Sequence, residues 1–294
     1  MSSLLRYLVF CLLSFSTILY AHSLPYDKDE EMLKYKLYKI PRLKPEQTPT
    51  EFFYAKGERI YCTGKSPAAI QNNKAADFME IGEYEVAKNL LTKAMKHAPI
   101  FYPYLFNKGV CCTHLNELRE ALVYLNKARD ILPTFPGIYI QIGFVYQADG
   151  KDQLALDSFR MALRVNPKEL EAFILIGDIY YIRNQYKIAE RYYGATLKID
   201  PRYPNGIIGL AKIHYANRKY LKAINLLKTV DLRRDYDKSL HYYFAECSFK
   251  TQDYQSAYDQ YTTLLQFKGD KFFITHSTGL IQHKRKLAGK FIGR

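Results

Sequence analysis

An alanine returns every 34 residues through the middle of this chain: Ala87, Ala121, Ala155, Ala189, Ala223 and Ala257, six positions without a miss. A second series at the same interval, Ala75, Gly109, Gly143, Gly177, Ala211 and Ala245, is uniformly small. Four residues after each marker alanine stands a large side chain: Leu91, Leu125, Phe159, Tyr193, Leu227 and Tyr261. Pro99, Pro133, Pro167 and Pro201 close the first four periods, and the proline lapses at Asp235 and Gly269. A fixed period of this length means stacked copies of one supersecondary unit, none of which can bury its apolar face alone. A small residue on each of two helices lets their backbones approach, large residues fill the grooves beside them, and proline stops the second helix. Polar turns such as IGEY (81–84), NRKY (217–220) and TQDY (251–254) separate the helices.

This pattern resembles the tetratricopeptide repeat. Residues 136–169 carry its signature in Tyr139, Ile142, Gly143, Tyr146, Ala155, Phe159, Ala162 and Pro167. The next period repeats it with Phe173, Ile176, Gly177, Tyr180, Ala189, Tyr193 and Pro201. Lys74 and Lys108 depart from the usual apolar residue before the small one, and Thr196 and Val230 replace small residues. The resemblance covers residues 68–271 and implies an all-α, right-handed α-solenoid of six helix-turn-helix units (68–101, 102–135, 136–169, 170–203, 204–237 and 238–271) with a capping helix at each end.

The flanks read differently. Arg6, an apolar run from Tyr7 to Tyr20 and the small-x-small Ala21-His22-Ser23 make residues 1–23 an export signal cleaved after Ser23, with an uncleaved membrane anchor as the alternative. The expected compartment is periplasmic or extracellular. Residues 24–67 form an N-terminal arm, partly extended, with a capping helix over 49–62 started by Thr48-Pro49-Thr50-Glu51. Residues 272–294 read as a basic capping helix and tail carrying Lys284, Arg285, Lys286, Lys290 and Arg294. Much of the net charge of +14 beyond the repeats sits there, which is unlike a domain built throughout to neutralise phosphates. Once the signal is gone, Cys62, Cys111, Cys112 and Cys247 remain, without a C-x-x-C for zinc or redox chemistry, and they read as buried apolar thiols.

Catalysis is not expected. No phosphate-cradling glycine loop, H-E-x-x-H or G-x-S-x-G occurs, the histidines are scattered, and no cofactor or metal is expected. The resemblance implies instead a concave groove lined by positions 2, 5, 9 and 12 of each unit. Carried onto this sequence, these include Phe106, Val110, Ile140, Phe144, Ile174, Asp178, Tyr181, Ile208, Lys212, Tyr215, Tyr242, Glu246 and Phe249. Such a groove suits an apolar helix or extended peptide of a protein partner. Some of these rings could pack on neighbouring helices or lie under the N-terminal arm. A carboxylate clamp found in family members that act as chaperone adaptors is absent, since its positions hold Ala76, Val110 and Phe144. The layout resembles exported bacterial repeat proteins that help build outer-membrane, pilus or flagellar structures, and also the flagellar-coiling sheath proteins of spirochaetes. The reading is an exported, non-catalytic scaffold for a cell-envelope partner, with an anionic surface as a second contact for the basic tail. The alternatives are an RNA-binding helical repeat, disfavoured by the export signal and the 34-residue period, and a recruiting subunit of an envelope enzyme.

Overall fold

The computed structural model describes residues 36, 38–39, 52–230, 238–267 and 277–293. The export signal, most of the arm, and Arg294 lie outside the described residues. The chain divides into two compact units, Met1–Ser158 and Phe159–Arg294.

In the first unit, each period is a pair of helices: α1 (Pro67–Glu80) with α2 (Tyr84–Ala94), α3 (Tyr102–His114) with α4 (Leu118–Ile131), and α5 (Pro136–Ala148) with α6 (Asp152–Val165), within which the unit boundary falls. The second unit continues with α7 (Leu170–Ile182) and α8 (Tyr186–Ile199), α9 (Pro204–Ala216) and α10 (Tyr220–Leu227), α11 (Lys238–Lys250) and α12 (Tyr254–Leu264), and ends on α13 (Thr278–Phe291). The described part of the chain is thus dominated by the expected helical repeat. Proline in the first turn of α1, α3, α5 and α9 sacrifices no hydrogen bond, because those N–H groups have no intrahelical partner. Ser66, Asp253 and Ser277 accept the exposed N–H groups of Ala69, Ser256 and Leu280 at the starts of α1, α12 and α13.

The turn inside each period follows one rule. Gly82, Asn116, Gly150, Asn184, Arg218 and Gln252, spaced by 34 residues, all have left-handed backbone, with φ between 58° and 82°. The residue after each donates back to the carbonyl five positions earlier than that left-handed residue's successor, as Glu83 does to Phe78 and Asp253 to Ser248, both at 2.9 Å. This is the Schellman closure of a helix C-terminus.

The small positions act as the spacing implies. A Cβ on Gly109 would lie 2.6 Å from Leu125 Cγ, and on Gly177 2.6 Å from the Tyr193 ring. Gly209, from the following period, would meet the same ring at 2.4 Å. Tyr193 is fully buried between the two glycines, and the marker alanines Ala87, Ala121, Ala189, Ala223 and Ala257 are all fully buried. Adding one methyl in such a contact typically costs about 1–3 kcal/mol.

The expected capping helix over 49–62 is replaced by strands. β1 (Tyr38–Lys39), β2 (Phe52–Lys56) and β3 (Arg59–Cys62) form an antiparallel sheet in that order, with Lys56 opposite Arg59 and Phe53 opposite Cys62. The cause is in the residues themselves. Phe53, Ile60 and Cys62 alternate toward the helices, Tyr54 and Tyr61 stack across the outer side at 5.7 Å, and Gly57 supplies φ +60° for a two-residue hairpin loop. A period of two defeats the helix signal, and the capping residues 48–51 lie outside the described residues.

Phe53 and Ile60 join the core of the first unit, with Tyr102, Phe106, Val110 and Leu125. In the second unit, Ile281 and Ala288 of α13 close the core around Ala257, Tyr261 and Leu264. Cys62, Cys111, Cys112 and Cys247 are unpaired and buried. No described helix is long and apolar enough to cross a membrane.

Candidate functional site

In the first unit, the first helices hold the hairpin by its main chain. Asn107 on α3 accepts the Ile60 N–H (2.9 Å) and donates to the Ile60 carbonyl (2.8 Å), which Asn72 on α1 also reaches (2.9 Å). Asn73 treats Cys62 alike, accepting its N–H at 2.7 Å and donating to its carbonyl at 2.8 Å. Asn107 and Asn72 are joined at 3.0 Å, and both are fully buried. A carboxamide offers a donor and an acceptor side by side, which matches the N–H and C=O of one strand residue. Phe53 enters between rings, with centroids 5.1 Å from Tyr102 and 5.3 Å from Phe135. At the hairpin tip, Glu58 Oε1 lies 2.6 Å from His114 Nε2 and accepts the Tyr84 hydroxyl at 3.1 Å.

The second unit replaces carboxamides with charges. Asp178 on α7 and Glu246 on α11 occupy equivalent places two periods apart, and each accepts a tyrosine hydroxyl from 15 residues further on: Tyr193 to Asp178 at 2.6 Å, Tyr261 to Glu246 at 2.7 Å. Lys212 of α9 approaches Asp178 at 3.5 Å. Lys284 of α13 donates to both oxygens of Glu246, at 2.6 and 2.8 Å, and Tyr215 adds a bond at 3.2 Å. Glu246 is 3% exposed, whereas the Asp178 side chain keeps 34% of its surface. Burial first, and then the neighbouring carboxylate, pushes the hydroxyls of Tyr193, Tyr215 and Tyr261 well above the ordinary tyrosine value, so they stay protonated donors. Tyr242 is pushed up to about 12 by burial and then by Glu246. Beside this network, Tyr215 and Tyr243 meet edge to face at 5.4 Å, and Tyr242 meets Tyr243 at 5.3 Å.

The sequence-predicted groove residues divide accordingly. Phe106, Val110, Ile140 and Ile208 are core residues, at most 2% exposed. For the fifth position of the unit, the reason is its place beside the helix seam, one turn before the small residue; Phe106 also lies under the hairpin's aromatic plug. Phe144, Ile174, Tyr181, Lys212, Tyr215, Tyr242 and Phe249 are partly buried, and Asp178 and Glu246 are bound as described. The structure therefore brings Asp178, Lys212, Tyr215, Tyr242 and Glu246 into one neighbourhood of the second unit. Sequence reasoning missed Asn72, Asn73 and Asn107; the signal for two of them was that Asn73 and Asn107 are 34 residues apart.

Of the basic tail, Lys284 is an internal partner, while Arg285 is partly buried and Lys286 and Lys290 are exposed; Arg294 lies outside the described residues. One group in the first unit has metal-ligand composition. Cys112, Glu117 and Glu120 converge within 4.8 Å. Yet Lys88 Nζ lies 2.7 Å from Glu117 and Lys108 Nζ 3.9 Å from Glu120, and burial and then Glu120 push the Cys112 thiol up to about 12. Two ammonium groups already balance the carboxylates, and a protonated thiol is a poor ligand.

Comparison with known proteins places this architecture. The family model described as tetratricopeptide repeat matches residues 72–134, and that described as anaphase-promoting complex, cyclosome, subunit 3 matches residues 178–263. The small glutamine-rich tetratricopeptide repeat-containing protein 2 of Saccharomyces cerevisiae is 31% identical over 96 residues, 33% of this chain, and the match spans only 27% of that relative. Among solved structures, a tetratricopeptide repeat protein from Parabacteroides merdae superposes with a TM-score of 0.54 at 20% identity, over 76% of this chain and 90% of the other. The Cut9–Hcn1 hetero-tetramer of APC/C gives 0.60 at 15% identity, over 76% of this chain and 45% of the other. At these identities the structures speak for the fold.

Proposed function

From its membership of the tetratricopeptide-repeat family, whose members are in general non-catalytic scaffolds for protein–protein interaction, we propose that this chain is a scaffold that holds a partner protein on its second unit. The observation that carries this reading is the row of rings at one position of successive first helices. Tyr181 on α7, Tyr215 on α9 and Phe249 on α11 are spaced by 34 residues, each keeps part of its surface, and the partly exposed Asp178 lies beside them. Aromatic rings with a polar neighbour suit an apolar helix or extended peptide, because they bury large area at small entropic cost. The engaged state of Asp178 and Glu246 leaves no base beside a nucleophile, which supports a non-catalytic role.

The finer reading is an assembly factor of the cell envelope, exported by residues 1–23 and acting in the periplasm or outside the cell. The apolar run ahead of Ala21-His22-Ser23 supports it. Arg285, Lys286 and Lys290 remain for contact with an anionic surface, a contact that would weaken steeply with salt.

Affinity capture from envelope extract tests the groove. Alanine at both Tyr181 and Tyr215 should remove the captured partner while the helical circular dichroism signal persists; equal capture by the variant would reject the groove. Cell fractionation tests the compartment, and recovery in the cytosol would return nucleic acid to consideration.

A further inference from the structure

The carboxamides of the first unit form a ladder longer than the strand it holds. Asn73 and Asn107 occupy one position of successive units, and on the strand they grip residues two apart, Cys62 and Ile60. That is the spacing at which strand residues present the same face. The same position one unit further on is Gln141 of α5, a third carboxamide. Gln141 is 4% exposed, and no hydrogen bond to it is present among the described residues. A buried carboxamide without partners carries a desolvation cost, so its retention calls for an explanation. The resident strand cannot supply one. Two residues before Ile60 the chain is at Glu58, already in the hairpin loop, where its carboxylate lies against His114.

We propose that Asn73, Asn107 and Gln141 form a binding site for an extended strand of a partner protein, and that β3 is its resident stand-in. The ligand is a segment at least five residues long that stays straight where this chain turns. It is read through the main chain of its first, third and fifth residues. Side-chain demands fall on the residue in the place of Ile60, which must be apolar, and on an aromatic anchor for the Phe53 pocket between Tyr102 and Phe135. A partner strand reaches the site by displacing the hairpin, which is covalently joined to α1 only through residues 63–66.

The test uses the full chain with a specific protease site inserted after Gly64, so that the hairpin can be cut from the folded protein in place. The probe is a fluorescein-labelled peptide, Thr-Val-Thr-Val-Arg-Ile-Tyr-Cys, which continues the β3 sequence as a straight strand. After cutting, fluorescence anisotropy should report its binding. Gln141→Leu should weaken binding about tenfold, the loss of a main-chain bond pair, while leaving the uncut protein's helical signal unchanged. Asn107→Ala should weaken it further. Three results would each overturn the proposal: no binding although the cut hairpin has left, unchanged affinity in Gln141→Leu, or loss of helix on cutting, which would make the hairpin part of the fold and not a ligand.

Discussion

The two units use the inner side of the same repeat in opposite ways. In the first, neutral carboxamides grip a strand of the chain itself, and the aromatic positions are consumed as core. In the second, acids and lysines on successive first helices satisfy each other, and tyrosines keep part of their surface. A repeat fixes which positions face inward and leaves open whether they read a backbone or a side chain. Carboxamides suit a backbone, because they match any residue of an extended chain. Ion pairs suit the second unit, because each also ties one helix to the next.

This contrast breaks most sharply at Glu246. Its carboxylate is buried and takes four hydrogen bonds from three residues, so Glu246→Ala strands Lys284 and the hydroxyls of Tyr215 and Tyr261. Breaking one side of a buried pair typically costs about 3–5 kcal/mol. Urea denaturation should show that loss, with hydrogen exchange placing it in α11–α13. The pairwise replacement Glu246→Leu with Lys284→Met should recover much of it, because neither charge is then left alone. Failure of the double variant to recover would mean that the tyrosine bonds, and not the ion pair, hold α13.

Asn107→Ala is the matching change in the first unit and should cost less, about 2–3 kcal/mol, since it leaves a neutral N–H and a partly satisfied C=O buried. Its effect should be insensitive to salt and confined to the hairpin and α1–α3 in hydrogen exchange. A salt-dependent loss would place the hairpin's hold in the Glu80 and Glu58 ion pairs instead.

Much of this architecture was legible from period alone. Ala189, Gly177 and Tyr193 implied a small-to-large contact, and the glycine does abut the ring. The hairpin was not, because Phe53, Ile60 and Cys62 alternate over too few residues to outweigh a capping signal, and their burial depends on Asn107, 47 residues away from Ile60. The groove was half legible. The sequence showed which residues share a face, but Ile208 and Tyr215 share that face with opposite fates, since one lies beside the helix seam and the other at its rim. The role of Lys284 was hidden for a related reason: in the sequence it is one cation among several, and only the fold sets it against Glu246.

The mildest contrast lies in the turns. The first unit uses Gly82, Asn116 and Gly150 at the left-handed position, and the second uses Asn184, Arg218 and Gln252. A side chain with a Cβ pays about 1–2 kcal/mol in that region, and asparagine less than most because its short polar side chain bonds locally. Glycine avoids this strain but loses about 0.5–1 kcal/mol of backbone entropy on ordering. Arg218 is exposed, so little contact is lost on truncation. Arg218→Gly should therefore stabilise the second unit by about 0.5–1 kcal/mol, a rise of about 1–3 °C in Tm for a domain of this size. Gly150→Arg should shift the first unit by a similar amount in the opposite direction. If Arg218→Gly lowers Tm, the arginine contributes more through its surroundings than its backbone costs, and the second unit's turns are not the less favourable set.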